Sequence, residues 1–317
     1  MHAFDEHHSE FRGFSEHYHD HIRPGLLERD AERRTAVKRA RIAGGVFLLI
    51  GLAAAVALVP TQGAWALAVL GVSAVAARGT WHALTSPVRK AAKTTLMQAV
   101  TGYLGWTFTG EVEAVDLHTF RAHFLIPRAH DRDSFEDQIE GDVHGAAFRS
   151  TEVHLEKRHT DSKGRTSYST LFRGQLMRID FPTRTFGRTV VLRDRGMFNR
   201  KARADMKRVG LSSPRFETLF EAYGTDQVEA RVILDPAFMQ RILDLEAAVS
   251  GKNIRFAFAD NELLIAVETR NQFEAGSMRQ PLDNPEAVQR ILDEVGTLYD
   301  IVDGLVQPAT RTTSQPR

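Results

Sequence analysis

The sequence predicts an α+β protein, with an N-terminal two-helix transmembrane hairpin followed by a cytoplasmic antiparallel β meander and a β-α-β-β-α unit. Three observations carry that reading. Residues 42–59 (IAGGVFLLIGLAAAVALV) are eighteen in a row without a charge, and a second apolar run, 64–84, follows after four residues. Apolar and polar residues alternate at Glu152-Val153-His154-Leu155-Glu156, the period of a half-buried strand. Farther on, Phe238, Ile242, Leu245 and Val249, then Val288, Ile291, Leu292, Val295, Leu298 and Val302, recur at helical spacing.

The first apolar run, at ~1.5 Å per residue, reaches about 27 Å, close to the hydrocarbon thickness of a bilayer. It begins too far into the chain for a signal peptide. The second run carries only Arg78 and His82, near its far end, where Arg78 can snorkel and Trp81 suits the headgroup level. Pro60-Thr61-Gln62-Gly63 is too short to hold a domain, so the two helices form a tight antiparallel pair. Small residues, among them Gly44, Gly51, Ser73 and Ala74, let their backbones approach. Arg33, Arg34, Lys38, Arg39 and Arg41 precede the pair and Arg89, Lys90 and Lys93 follow it, while the connection has no basic residue. Lys and Arg are retained inside, which puts residues 1–41 and the region from 85 onward in the cytoplasm.

Composition narrows the chemistry. In 317 residues, 41 Lys and Arg nearly balance 40 Asp and Glu, so no global field favours nucleic acid. Cysteine is absent, which excludes disulfides, thiolate zinc sites and cysteine nucleophiles. The arm 1–41 holds His2, His7, His8, His17, His19 and His21, with His17 and His21 spaced to share a helix face. No fixed ligand frame accompanies them, and a solvated helix is the simpler reading. Pro24 divides the arm, and Asp30 is placed to cap the helix entering the membrane.

In the cytoplasmic region (85–305), a helix from Ser86 to about Tyr103 carries Pro87 in its first turn. The meander covers about 138–193. A two-residue loop at Ser162-Lys163 would set Val153 opposite Phe172 and Glu152 opposite Arg173, and Thr189 to Leu192 adds a short strand. A basic linker occupies 194–210. Ser213 caps a helix over Pro214 to Tyr223. The β-α-β-β-α unit, about 225–305, opens with a strand holding Val228, Ala230, Val232 and Leu234. Asp235-Pro236 starts a helix, Asp260-Asn261 turns a hairpin, and Asn284-Pro285 starts a last helix that stops at Gly304. The tail 306–317 is polar and expected to be disordered.

The stretches Glu152 to Glu156, Leu171-Phe172-Arg173-Gly174-Gln175-Leu176, Ile179-Asp180-Phe181, Gly187-Arg188-Thr189-Val190-Val191, Asp226 to Arg231 and Leu234-Asp235-Pro236 resemble an uncharacterised bacterial family, the domain of unknown function 3137. The resemblance spans roughly residues 90–305, and paired membrane helices upstream fit the family's layout. It implies a bacterial inner (plasma) membrane protein and supplies no activity.

Glu152, His154 and Glu156 are the catalytic candidates, because alternate strand positions share a face where two carboxylates and an imidazole can divide acid and base roles or meet a metal. A solvated face crossed by ion pairs is the bland alternative. No G-x-S-x-G, P-loop, H-E-x-x-H or G-x-G-x-x-G occurs. From Arg184 to Arg208 nine Lys or Arg face only Asp194 and Asp205. Arg184, Arg188, Arg200, Lys201, Arg203, Lys207 and Arg208 are the candidate contacts with an anionic leaflet. The expected function is a non-enzymatic binding or scaffolding module for a protein partner or lipid headgroups. The alternative is a membrane-bound hydrolase or metal-dependent enzyme using Glu152, His154 and Glu156. No cofactor, resident metal or nucleic acid is expected; the bilayer is the expected partner, with a protein partner unidentified.

Overall fold

Ala, Leu, Arg, Lys and Glu lose little on entering a helix, and the N-terminal third, rich in them, is helical almost throughout. The structure is a computed structural model that describes residues 4–6, 9–180, 187–194, 205–248, 253–269 and 280–306, with the side chains of 9, 60–64 and 248 left aside. It divides into two compact units, Met1–Leu104 with Phe273–Asp293, and Gly105–Gln272 with Glu294–Arg317. His2, His7, His8, Arg184, Arg200, Lys201, Arg203, Val249 and the tail from 307 lie outside the described residues.

In the first unit α1 (Phe14–His17) leads through one π-type turn into α2 (Arg23–Tyr103). The helix doubles back on itself. A Cβ built at Gly44 would lie 3.8 Å from Ala77 Cβ, and one at Gly51 would overlap the Ser73 side chain, so two limbs run antiparallel in close contact. Only glycine at position 51 lets the backbones come this near. The reversal keeps helical backbone through 60–64, where a loop was expected. A wound turn leaves fewer backbone groups to be hydrated. Hydroxyls on the second limb satisfy themselves locally: Ser73 Oγ donates to Val69 O at 2.8 Å and Thr80 Oγ1 to Ala76 O at 2.9 Å. Pro87 lies inside the helical run and starts no new helix.

The arm corrects two further expectations. Pro24 sits in the first turn of α2, which its fixed φ suits. Asp30 is an interior helical residue and no cap. It is buried, accepts from Arg33 Nε at 2.5 Å and Arg34 Nε at 2.7 Å, and also receives the Leu282 N–H at 3.2 Å. Phe11 and Phe14 are buried against Tyr103, with buried Phe4 and Tyr18 packed on Phe14, and the Tyr103 hydroxyl donates to Arg12 O at 2.7 Å. Burial pushes the Tyr18 hydroxyl up to about 12, with the Asp283 carboxylate acting in the same direction.

Among the described residues, the second unit is built on one sheet of nine strands. These are β1 (Thr107–Glu111), β2 (Arg132–Val143), β3 (Ala146–Thr160), β4 (Thr166–Asp180), β5 (Thr189–Arg193), β6 (Lys207–Val209), β7 (Phe220–Gly224), β8 (Arg255–Ala259) and β9 (Glu262–Glu268). Their spatial order is β1-β2-β3-β4-β9-β8-β5-β7-β6, with every neighbouring pair antiparallel. The expected meander and the later unit are thus one surface, joined where β4 pairs β9. At that seam a side chain at 174 would overlap the Val267 carbonyl, so Gly174 is required by the close approach of β9.

The helices are α3 (Leu117–Ala122), α4 (Pro214–Leu219), α5 (Gln227–Ile233), α6 (Pro236–Ala248) and α7 (Pro285–Val306). Residues 285–293 of α7 belong to the first unit and the rest to the second. Leu117 and Phe120 of α3 pack on one sheet face with Val153, Leu155, Phe172, Leu176, Leu264 and Ala266. Phe238 of α6 meets Phe258 edge-on, with ring centroids at 5.5 Å.

Several local expectations hold. Ser213 Oγ accepts from Phe216 N at 3.3 Å, Asp235 Oδ1 from Phe238 N at 2.7 Å, and Asn284 Oδ1 from Glu286 N at 3.3 Å. Asp260 and Asn261 both take positive φ, 53° and 64°, in a two-residue hairpin loop between paired Ala259 and Glu262. Others fail. Residues 228–234 are helical, because the Asp226 carboxylate accepts from the N–H of Val228 and Glu229 and starts α5. The strand of the β-α-β-β-α order is instead β7, expected as the end of the preceding helix. It is buried on both faces between β5 and β6, and such a short apolar run has no period to distinguish it from helix. Gly304 lies within α7, which runs on to Val306. The β3–β4 loop spans Asp161 to Arg165, since Asp161 Oδ1 holds the N–H of Lys163 and Arg165. That loop moves the register by one residue, and a β-bulge that leaves Leu171 unpaired between Thr170 and Phe172 moves it by another, so Leu155, not Val153, faces Phe172 and His154, not Glu152, faces Arg173. The slip is two residues, so each side chain keeps its expected face.

Candidate functional site

Glu152, His154 and Glu156 project from the face of β3 opposite Val153 and Leu155, as alternation requires. Their side chains part company. Buried Glu152 lies 3.7 Å from Arg173 Nη2. His154 Nε2 is 2.9 Å from Thr170 Oγ1 and 3.9 Å from Glu156 Oε1, and Glu156 in turn lies 3.5 Å from Arg132 Nε. This is a row of ion pairs across three strands. Among the described residues no group of three His, Asp or Glu side chains is placed to share a metal ion. Beside the row, Ser150 Oγ donates to buried Gln175 Oε1 at 3.0 Å.

The histidines of the arm enter a stack. His17 and His21 lie 4.7 Å apart at 16°, confirming a shared helix face, and His17 is 5.1 Å from the Tyr103 ring. Stacked rings satisfy aromatic packing without converging their nitrogens on one point.

Of the basic candidates, Arg188, Lys207 and Arg208 are described, and they gather at the sheet's outer margin. β6 is an edge strand, so two consecutive basic residues there also discourage pairing with another chain. Arg188 Nη2 pairs with Asp205, and Arg208 Nη2 lies 3.9 Å from Glu221. Sequence reasoning missed the helix that lines this edge. Gln227 Nε2 donates to Lys207 O at 3.1 Å and Arg231 Nε to Gly210 O at 3.3 Å, fixing α5 beside β6. The signal was present in Asp226, a helix cap immediately before the run.

Two concavities were also not read from sequence. One of about 310 Å³ lies between α6 and α7, where Leu245, Ile301 and Leu305 form an apolar floor flanked by Arg241, Asp244 and Asp300. The other, about 370 Å³, is a charged recess in which Arg178 Nη2 meets Glu262 at 2.7 Å.

Residues 170–306 match the family model described as Protein of unknown function (DUF3137). The DUF3137 segment begins within β4 and ends with α7, leaving β1 to β3 outside the match although β3 pairs along β4. No curated protein matches the chain. Among solved structures, the crystal structure of the mycobacterial trehalose monomycolate transport factor A, TtfA, is 13% identical with a TM-score of 0.35; the match covers 69% of this chain and 99% of that chain.

Proposed function

We propose that the chain is a membrane-anchored, non-enzymatic binding or scaffolding module. In this reading residues 42–59 and 64–84 cross an inner (plasma) membrane, and the N-terminal arm and the α+β region both lie in the cytoplasm, where they meet a protein partner or lipid headgroups. One observation carries it. The most apolar eighteen-residue windows of the two limbs are 11% and 0% buried, at mean hydropathies of 2.6 and 1.2. A core helix of a soluble protein buries such a stretch; here Leu49, Val56, Leu67 and Val72 stand 67%, 63%, 73% and 70% exposed. That much apolar surface needs lipid or protein around it. The basic flanks support the inward placement of both ends. The hydrolytic reading through Glu152, His154 and Glu156 has ion pairs rather than convergence behind it.

Alkaline carbonate extraction of native membranes tests the anchor, and the chain is expected to stay in the pellet and to float with lipid. Maleimide labelling of Gln62→Cys from the outside only, and of Arg12→Cys only after permeabilisation, tests the orientation. Release by carbonate would sink the anchored reading, and the reverse labelling pattern would sink the orientation.

A further inference from the structure

In the second unit the exposed large hydrophobic side chains, among the described residues, are Tyr168, Val228 and Val232. Tyr168 has the Arg132 guanidinium over its ring, 5.4 Å from the centroid. The two valines differ. They stand 71% and 64% exposed, four residues apart on α5, while Ala230 and Ile233 on the other side of the same helix are buried. Two valines on one outward stripe form a small apolar ridge on an otherwise polar surface.

The ridge has basic neighbours. Gln227 and Arg231, the residues that tie α5 to the carbonyls of Lys207 and Gly210, each precede one of the valines. The valine stripe is therefore one residue round the helix from the stripe that grips β6. Exposed Arg231 lies beside it on the same helix, and Lys207 and Arg208 are exposed on the adjoining edge strand, on alternate faces. Apolar side chains bordered by Lys and Arg suit the boundary between anionic headgroups and acyl chains.

We propose that the α5–β6 edge docks on an anionic lipid bilayer, with Lys207, Arg208 and Arg231 engaging headgroup anions and Val228 and Val232 entering the interface. This rests on the anchored reading, because two valines and three basic groups recruit a free protein weakly but suffice when spans already hold the chain at a membrane. A protein partner would be drawn by shape and specific hydrogen bonds; the ridge offers instead a short apolar edge with exposed Lys207, Arg208 and Arg231 nearby, which a fluid anionic surface complements.

The chain has no cysteine, so single cysteines report one position each. The full chain is reconstituted into phosphatidylcholine vesicles with or without phosphatidylserine. It carries an environment-sensitive dye on Val228→Cys or Val232→Cys, with Val56→Cys as the reporter of the span. With phosphatidylserine the dye at 228 or 232 should shift to the blue and be quenched by lipids brominated near the headgroup. Lys207→Glu with Arg208→Glu should reduce the docked-to-free ratio by about tenfold or more, and high salt should do the same. A dye at 228 that stays in water with phosphatidylserine, while Val56→Cys is quenched by deep bromines, overturns the docking and leaves the anchor standing. Failure of the Val56→Cys quench overturns the anchor and the docking together. A blue shift that needs added membrane proteins and ignores phosphatidylserine overturns the proposal in favour of a protein partner.

Discussion

Asp30 shows how a helix interior can hold a carboxylate. Its side chain is 3% exposed, and three donors from Arg33, Arg34 and the Leu282 backbone converge on it. Removing one member of a buried ion pair strands the desolvation already incurred by the other, so Asp30→Ala should cost roughly 3 kcal/mol. Thermal unfolding of the detergent-solubilised chain measures this, and Asp30→Leu with Arg33→Met should recover much of it; equal losses in both variants would contradict the account. Asp116 works at an exposed site. Its carboxylate accepts from the Thr119 hydroxyl and from the N–H of Thr119 and His118, with Arg178 Nη1 at 3.4 Å, and these hold its pKa below the ordinary aspartate value. A depressed carboxylate stabilises the fold above its unfolded pKa and loses that contribution as pH falls through the folded value. Asp116→Ala should therefore cost about 1 kcal/mol near neutrality, and the difference from the parent chain should shrink below about pH 4. Denaturant titrations at two pH values check the sign; a gap that widens in acid would refute it.

At the scale of elements the hairpin is the sharpest case. Gly44 and Ala77 would carry Cβ atoms 3.8 Å apart, within the range a disulfide spans. Gly44→Cys with Ala77→Cys should cross-link readily within one chain under mild oxidant, and Gly51→Leu added to the pair should abolish the link by forcing the limbs apart. Mobility on a non-reducing gel reads both outcomes. The hairpin was legible in sequence because two long apolar runs only four residues apart can do little but return antiparallel, and the β8–β9 turn was legible because Asp260-Asn261 tolerates positive φ. β1 and α3 went unread: five and six residues give too little periodicity to rise above background. At the candidate edge, Val228 and Val232 were assigned to a buried strand face, since V-E-A-R-V alternates as well as it winds. Asp226 decides for the helix, turning both valines to solvent.

For the molecule as a whole, the decisive contacts join distant stretches of chain. β5 lies between β8 and β7, and β4 lies against β9; pairings of that kind leave no local mark in a sequence, so the single sheet could not be read although β3, β4, β5, β8 and β9 could, while β6 lay hidden in the expected basic linker. The face of Glu152 was read correctly, but its opposite number was not, because the Asp161 side chain lengthens the loop and a bulge at Leu171 adds a second step. The DUF3137 match begins inside this sheet. Residues 170–306 expressed alone would leave β4 without the strand that covers its other edge, and an uncovered edge aggregates. That fragment should give poor soluble yield and little dispersion in its amide NMR spectrum, while residues 105–306 should give dispersed peaks. Equal behaviour of the two would show that β1 to β3 are dispensable.

The β4–β9 seam also sets a timetable for biosynthesis. The two hydrophobic limbs are synthesised well before the sheet, whereas β4 must wait until Glu262 to Glu268 has been made before its second edge is covered. Through that interval a nascent chain holds a completed β3–β4 hairpin with one open side, the species most exposed to mispairing. Slow codons or a bound chaperone would matter most between Asp180 and Glu262, long after the helical hairpin has been made.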